Sequence, residues 1–323
     1  MAFEAQVSRE ELDTRFAYDP MLSSHPKQGL ESISFLGRHL ALPIWVSSMT
    51  GGTELAAKIN RNLARACAEF GMGMGLGSCR SLLEGNDRLS DFNVRHIIGE
   101  DLPLYGNLGI AQVEQLLKDR KFHAFDDLID RLQLDGLIIH VNPLQEALQP
   151  EGDSINEVPL ETIKRLIDCT SCRLIVKEVG QGFGYNSLKE MFQLPLAAID
   201  FGASGGTNFA LLEMMRSDDY GLAKHLGPLS RVGHSAEQMV QYTNRICDEL
   251  GDLRLCPSVI VSGGVANFLD GFYYISKLSI PGIYGQASAF LKHAMQDYQS
   301  LHDYVQAQSM GLDLAKAYLS IKA

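Results

Sequence analysis

The feature that most constrains the fold is a series of short apolar runs, each closing on glycine or a polar residue and separated by stretches of helical spacing. The runs are LPIWVSS (42–48), GMGLGS (73–78), LPLYGNLG (102–109), GLIIHVN (136–142), LIVKEVG (174–180), LAAIDFGA (196–203), SVIVSGG (258–264) and GIYGQAS (282–288). Runs without a polar alternate face read as parallel strands covered on both sides. The intervening segments, such as Leu55, Ile59, Leu63, Ala66 and Phe70, carry helical periodicity. Strand–helix alternation means an α/β sheet, and eight such units in about 250 residues predict a closed (β/α)8 TIM barrel. A doubly wound open sheet is the alternative, and its dinucleotide form is weakened because no G-x-G-x-x-G opens the first unit. No linker or low-complexity tract divides the chain. Residues 1–323 therefore read as one domain, with residues 1–40 as a lead-in to the first barrel strand.

Charge and composition exclude several classes. A net charge of −11 argues against broad nucleic-acid binding, which needs a basic face. No apolar run approaches the roughly 18 residues of a membrane span, so no membrane partner is expected. The polar start MAFEAQVSREELDTRF does not read as a secretory leader. Six cysteines in 323 residues are too few for a disulfide scaffold, and a cytoplasmic setting is expected. Cys169 and Cys172 form a lone C-x-x-C before a strand; without a second pair, two free thiols are the simpler reading.

In this barrel class the active site forms at the C-terminal strand ends. Polar residues fall there after every run. Ser47, Ser48, Met49 and Thr50 follow the first, Ser78 and Arg80 the second, Asn107 the third, and His140, Asn142, Gln145 and Glu146 the fourth. Lys177 lies in the fifth, Thr207 follows the sixth, Gly263 and Gly264 the seventh, and Ala287 and Ser288 the eighth. Any one of these could simply cap a loop; their occurrence at all eight ends points to a site. Glycine-rich ends of the seventh and eighth strands, with a helix start, bind phosphate in this fold. A phosphate-bearing cofactor or substrate is expected, and FMN fits, with its ring over the barrel mouth and Lys177 facing it. The bland reading of Lys177 is an ion pair with a carboxylate such as Asp200. Glu146 could hold Mg²⁺ with phosphates completing the shell, or simply favour a helix start.

These residues carry a resemblance. The blocks SSMTGG with INRNLA, GLGSCR (75–80), NLGIAQ (107–112), HVNPLQEALQPEGD (140–153), VKEVGQG (176–182), GASGGTNFA (202–210) and SGGV (262–265) resemble type 2 isopentenyl-diphosphate isomerases, over most of the chain. The resemblance implies isomerisation of isopentenyl diphosphate and dimethylallyl diphosphate with reduced FMN, Mg²⁺, and NADPH as reductant, in a homo-oligomer (tetramer or octamer). By the same resemblance Ser48, Met49, Thr50, Ser78, Asn107, Lys177, Thr207, Gly263, Gly264, Ala287 and Ser288 hold FMN. Ser78 and Arg80 meet the diphosphate with His140 and Asn142 beside it, Gln145 stands by the allylic carbons, His140 and Gln145 are the catalytic pair, and Glu146 carries Mg²⁺.

Departures accompany it. The family's N-terminal Arg-Lys-x-x-His-type segment is missing, with only Arg9, Arg15 and His25 in that stretch. Cys79 stands where Gln is common, Asn208-Phe209 where Ser/Thr-Trp is usual, and HLGPLSRVGHS (225–235) replaces a tryptophan-glycine segment. Three other readings stand beside the isomerase. They are a flavin-dependent 2-hydroxy acid oxidase, a divergent flavin barrel acting on another phosphorylated compound, and a non-catalytic flavin binder. The first needs a His-Arg pair near the seventh strand, and none follows Ser262-Gly263.

Overall fold

The computed structural model describes residues 5–27, 29–47, 55–83, 85, 88–149, 152–216 and 225–322. Eight parallel strands close into a barrel, each beside its sequence neighbour, the eighth pairing with the first. They are β1 (Ile44–Val46), β2 (Gly73–Ser78), β3 (Leu104–Gly109), β4 (Gly136–Val141), β5 (Arg173–Glu178), β6 (Ala198–Asp200), β7 (Val259–Ser262) and β8 (Gly282–Gln286). Every apolar run is thus a barrel strand, and the open-sheet alternative falls away.

Helices return the chain around the outside. The first, Ala56–Phe70, buries Ile59, Leu63, Ala66 and Cys67 on one face. It stops at Gly71, whose φ of 67° is the left-handed C-terminal conformation that glycine adopts without strain. A Cβ there would lie 2.6 Å from that of Ala41, so the same glycine lets the chain pass close under β1.

The lower interior is filled by pairing large residues with absent ones. Trp45 and Tyr105 are fully buried and meet edge to face at 6.0 Å. Gly73 stands in register with Trp45, and Gly136 with Tyr105. A Cβ at either glycine would come 2.5 Å from the neighbouring ring. The barrel is therefore a packed core at this level.

The lead-in does more than precede the barrel. Ile33–Phe35 and Arg38–Leu40 form a hairpin across its N-terminal end, with Phe35 against Trp45. The Arg173 guanidinium at the start of β5 donates to the Leu36 carbonyl at 2.6 Å, and Arg38 pairs with Asp135 just before β4. Phe16–Tyr18 runs antiparallel to Leu319–Ile321 and ties the two ends of the chain together. The hairpin thus packs over the N-terminal end of the barrel, with a surface pocket beside it lined by Phe35, Gly37 and Arg173.

All six cysteines are free; Cys169 ends the helix Pro159–Cys169 and Cys172 just precedes β5. No described helix is long and apolar enough to cross a membrane.

Candidate active site

The ends of β6, β7 and β8 enclose a cavity of about 230 Å³, lined by Thr207, Gly263, Gly264, Ala287, Ser288 and Lys177 among others. Glycine is required here by backbone crowding. Gly263 has φ 85°, and a Cβ on it would lie 2.0 Å from the Ala203 carbonyl oxygen; Gly264 has φ 72°. The loops after β6 and β7 therefore touch backbone to backbone, which exposes main-chain groups to the cavity. Ser288 opens the helix Ser288–Gln296, and no side chain caps its first turn. Its free N–H groups and helix dipole suit an anion. Gln286 locks the wall: its Nε2 donates to the Val265 carbonyl at 3.1 Å, and its Oε1 accepts from Tyr304 and Gln308 on the last long helix.

The cavity floor carries buried charge. Lys177 is 8% exposed, and its ammonium donates to the Glu178 carbonyl at 3.0 Å. It stands opposite Asp200 in the β5–β6 register, so both side chains enter the barrel interior. They form no close ion pair among the described residues, which corrects the bland reading of Lys177. Their attraction is felt at longer range: burial raises the Asp200 pKa, and Lys177 and the Ser262 hydroxyl oppose that rise. One Asp200 oxygen and the Ser47 hydroxyl are buried without a protein partner, as expected where a ligand or water completes the site.

Glu178 has a different task. Its Oε2 accepts the N–H groups of Gly180 (2.7 Å), Gln181 (2.6 Å) and Gly182 (2.8 Å). A carboxylate folded under its own loop explains the VKEVGQG block, although burial still raises its pKa overall.

Across the mouth, β4 delivers the second group. Pro143 ends the strand and starts a short helix, Pro143–Leu148, at the position where a missing N–H costs nothing. Asn142 Nδ2 donates to Gln145 Oε1 at 3.2 Å and to Glu146 Oε1 at 2.9 Å. Gln145 Nε2 donates to Glu213 Oε1 at 3.1 Å, and the other Glu213 oxygen holds Arg216 at 3.0 Å. The Gln145 amide is thus oriented from both ends. The Asn142 Oδ1 atom is buried and unpartnered.

His140 Nδ1 lies 2.7 Å from Asn107 Oδ1. Burial pushes the His140 pKa down to about 3, and the Lys177 charge adds to the effect. Its Nε2 faces Gly109, where a Cβ would come within 2.9 Å. Ser78 is in register with Asn107 at the top of β2. Arg80, just beyond, pairs with Asp153 at 2.7 Å.

The structure brings Asn142, Gln145 and Glu146 into one network, places His140 on Asn107, and gathers Lys177, Thr207, Gly263, Gly264, Ala287 and Ser288 around one cavity. Ser48, Met49 and Thr50 lie outside the described residues. Sequence reasoning missed Glu213, Gln112 and Asp153. Glu213 had a signal, a lone carboxylate within FALLEMMR, and it is only 3% exposed. Gln112 and Asp153 were the last residues of two quoted blocks.

No family model matches the chain. Curated relatives do. The isopentenyl-diphosphate delta-isomerase of Rickettsia typhi is 34% identical over 264 residues, covering 81% of this chain and 72% of the relative. That of Rickettsia felis is 34% identical over 276 residues, covering 84% and 75%. This chain belongs to the type 2 isopentenyl-diphosphate delta-isomerase family. It is accordingly an enzyme of the isomerase class. Among solved structures it resembles a flavocytochrome b2 variant with sulfite bound (TM-score 0.64, 12% identity, 94% of this chain and 72% of that chain). A mandelate oxidase variant is similar too (TM-score 0.57, 14% identity, covering 93% and 81%). At such identities the likeness speaks for the barrel fold alone.

Proposed function

We propose that the protein interconverts isopentenyl diphosphate and dimethylallyl diphosphate, using reduced FMN and Mg²⁺ with NADPH as reductant. The observation that carries this is the network of Asn142, Gln145 and Glu146 beyond β4, at the same end of the barrel as the glycine-rich cavity, in a chain of this family. The cavity fits FMN in kind: a crowded glycine cradle and an uncapped helix start for one phosphate, and Lys177 for the ring. Thr207 lines the same cavity, Ser78 and Asn107 stand side by side at the tops of β2 and β3, and Ser48, Met49 and Thr50 complete the proposed set. Mg²⁺ fits Glu146, because this ion takes one or two carboxylates and leaves the remaining positions to phosphate and water. No cluster of three metal-binding side chains is needed, and the described residues contain none.

Moving the double bond requires a proton to arrive at one carbon and another to leave a neighbour. When bound, reduced FMN supplies an electron-rich ring that stabilises positive charge developing on the allylic carbons. Gln145 is neutral and held rigidly by Asn142 and Glu213, so it presents a fixed dipole without reorganising. Arg80 would grip the diphosphate, and Glu146 would hold the Mg²⁺ that neutralises it. His140 donates to a phosphate oxygen from Nε2 only if its Nδ1 accepts a hydrogen bond. That role requires the Asn107 amide to present Nδ2 to the ring, the reverse of the orientation in the structure, where Oδ1 lies on Nδ1. The low His140 pKa keeps the ring neutral in that role.

The homo-oligomeric state belongs to the same proposal and rests on the family, and the cytoplasmic setting on the few cysteines. The oxidase reading lacks its His-Arg pair, since glycines follow Ser262. The protein, reduced once anaerobically, should isomerise isopentenyl diphosphate over many turnovers. NADPH consumed one-for-one with product overturns the reading in favour of a redox enzyme. Absence of turnover with Mg²⁺ and reduced FMN leaves a flavin barrel with another phosphorylated substrate.

A further inference from the structure

Two loops converge on the carboxylate of a residue in a third, Asp153, which the scheme above does not use. Asp153 Oδ2 accepts from Arg80 Nη1 at 2.7 Å, beyond β2, and from Gln112 Nε2 at 2.8 Å, beyond β3. The Asp153 backbone N–H donates to Glu146 Oε2 at 2.8 Å, beyond β4. Arg80, Gln112 and Asp153 are the final residues of the GLGSCR, NLGIAQ and HVNPLQEALQPEGD blocks. We propose that Asp153 is a positioning residue, fixing Arg80 relative to Glu146 at the separation a metal-bound diphosphate bridges. This rests on the diphosphate reading.

The local backbone is built for the contact. Gly152 donates to the Gln149 carbonyl at 3.0 Å, and a Cβ on it would fall 2.0 Å from the Glu146 carbonyl oxygen. Only a residue without a side chain lets the chain fold back over the short helix so closely. That return sets the Asp153 N–H on the Glu146 carboxylate. Gln112 is fixed independently: its Oε1 accepts the Gly109 N–H at 2.9 Å, which leaves Nε2 to hold Asp153. Asp153 is therefore held by two loops before Arg80 is counted.

Stability is a poor reason for the ion pair. The Arg80 side chain is 49% exposed and that of Asp153 35%, and pairs so exposed contribute little to folding. Its value is geometric. One rigid residue contacts both the cation proposed for one end of the diphosphate and the carboxylate proposed for the metal at the other. The rival role is a competitor that occupies Arg80 until the diphosphate displaces it. The hold exerted by Gln112 and by the Gly152 turn favours a fixed strut, because a displaced placeholder would need freedom to swing away.

The two roles predict opposite signs. The flavin-loaded protein is titrated with inorganic pyrophosphate in Mg²⁺ by calorimetry, and KM and kcat for isopentenyl diphosphate are measured alongside. Asp153→Asn keeps an oxygen where Oδ2 lies and should bind pyrophosphate nearly as the wild type does. Asp153→Ala should bind about tenfold more weakly and raise KM in step, while kcat at saturation and flavin content hold. Tighter binding by both variants identifies a competitor and overturns the proposal; unchanged binding by Asp153→Ala overturns it as well. If Asp153→Ala does not fold, Gln112→Ala removes one of the two holds, and the proposal then requires a smaller weakening of the same sign. A wild-type protein that binds no pyrophosphate overturns the diphosphate reading itself, and the strut with it.

Discussion

Arg80 and Gln145 should fail in different kinetic parameters, and this is the sharpest test of the substrate assignment. Arg80 is proposed to hold a diphosphate that is present in ground and transition states alike. Such uniform binding, once lost, raises KM and leaves kcat. A charge-assisted hydrogen bond contributes about 1.5–3 kcal/mol. Arg80 is half exposed, so water screens it and the lower end applies. Removal also leaves Asp153 as an uncompensated anion beside the diphosphate, which adds repulsion. Arg80→Ala should therefore raise KM about ten- to thirtyfold, at about 1.4 kcal/mol per tenfold. Gln145 is proposed to sit where charge develops on carbon. Gln145→Ala removes the dipole and leaves Glu213 paired with Arg216 alongside the site, so kcat should fall about tenfold or more with KM little changed. Initial rates over a range of isopentenyl diphosphate, at fixed reduced FMN and Mg²⁺, separate the two. An unchanged KM in Arg80→Ala, or a Gln145→Ala variant altered only in KM, refutes the reasoning.

Three further outcomes follow from the site. Glu146→Gln keeps the size and the contact with Asn142 but removes the charge, so half-saturation by Mg²⁺ should move upward about tenfold or more while flavin content holds; an unmoved metal titration returns Glu146 to a helix-start role. Gly263→Ala forces a Cβ into the Ala203 carbonyl at positive φ, so the purified variant should lose most of its flavin, whereas the wild type should release FMN, and not FAD, on heating, as read by mass. His140 should stay neutral down to about pH 3 in the folded protein, where an unfolded histidine titrates near 6.5, so folding stability that depends on this ring is lost as pH falls through that window; an imidazole NMR signal assigned to His140 and titrating near 6.5 contradicts the burial argument.

The barrel was legible because its signal is local and repeated. Each run is apolar at its start and closes on glycine or a polar residue, and closure follows from the number of units. What the sequence left open is what lies between distant segments. The hairpin Ile33–Phe35 and Arg38–Leu40 gave no sign that it would plug the barrel floor, since that role depends on Trp45, Gly73, Tyr105 and Gly136 meeting in one layer. Residues 1–40 were consequently read as a lead-in only.

The proposed site divides along the same physical line. Glycines that line the cavity were readable one at a time, because crowding leaves a residue type behind it. Hydrogen bonds between loops leave no such trace. Gln145 was visible in its block, but the Glu213 that aims it comes from the unit after β6, and Asp153 acquires meaning only beside Arg80 and Gln112. The N-terminal departure can also be weighed in these terms. Arg15 is bound to Asp13 and Asp270 and lies over the Tyr273 ring, and His25 meets Tyr318. Both residues tie the chain's N-terminal segment to the outer helices, a structural use already complete. Releasing either to serve a diphosphate would break those contacts. With these N-terminal residues so engaged, more of the anion's recognition falls to Arg80, and the geometry that Asp153 imposes on it matters correspondingly more.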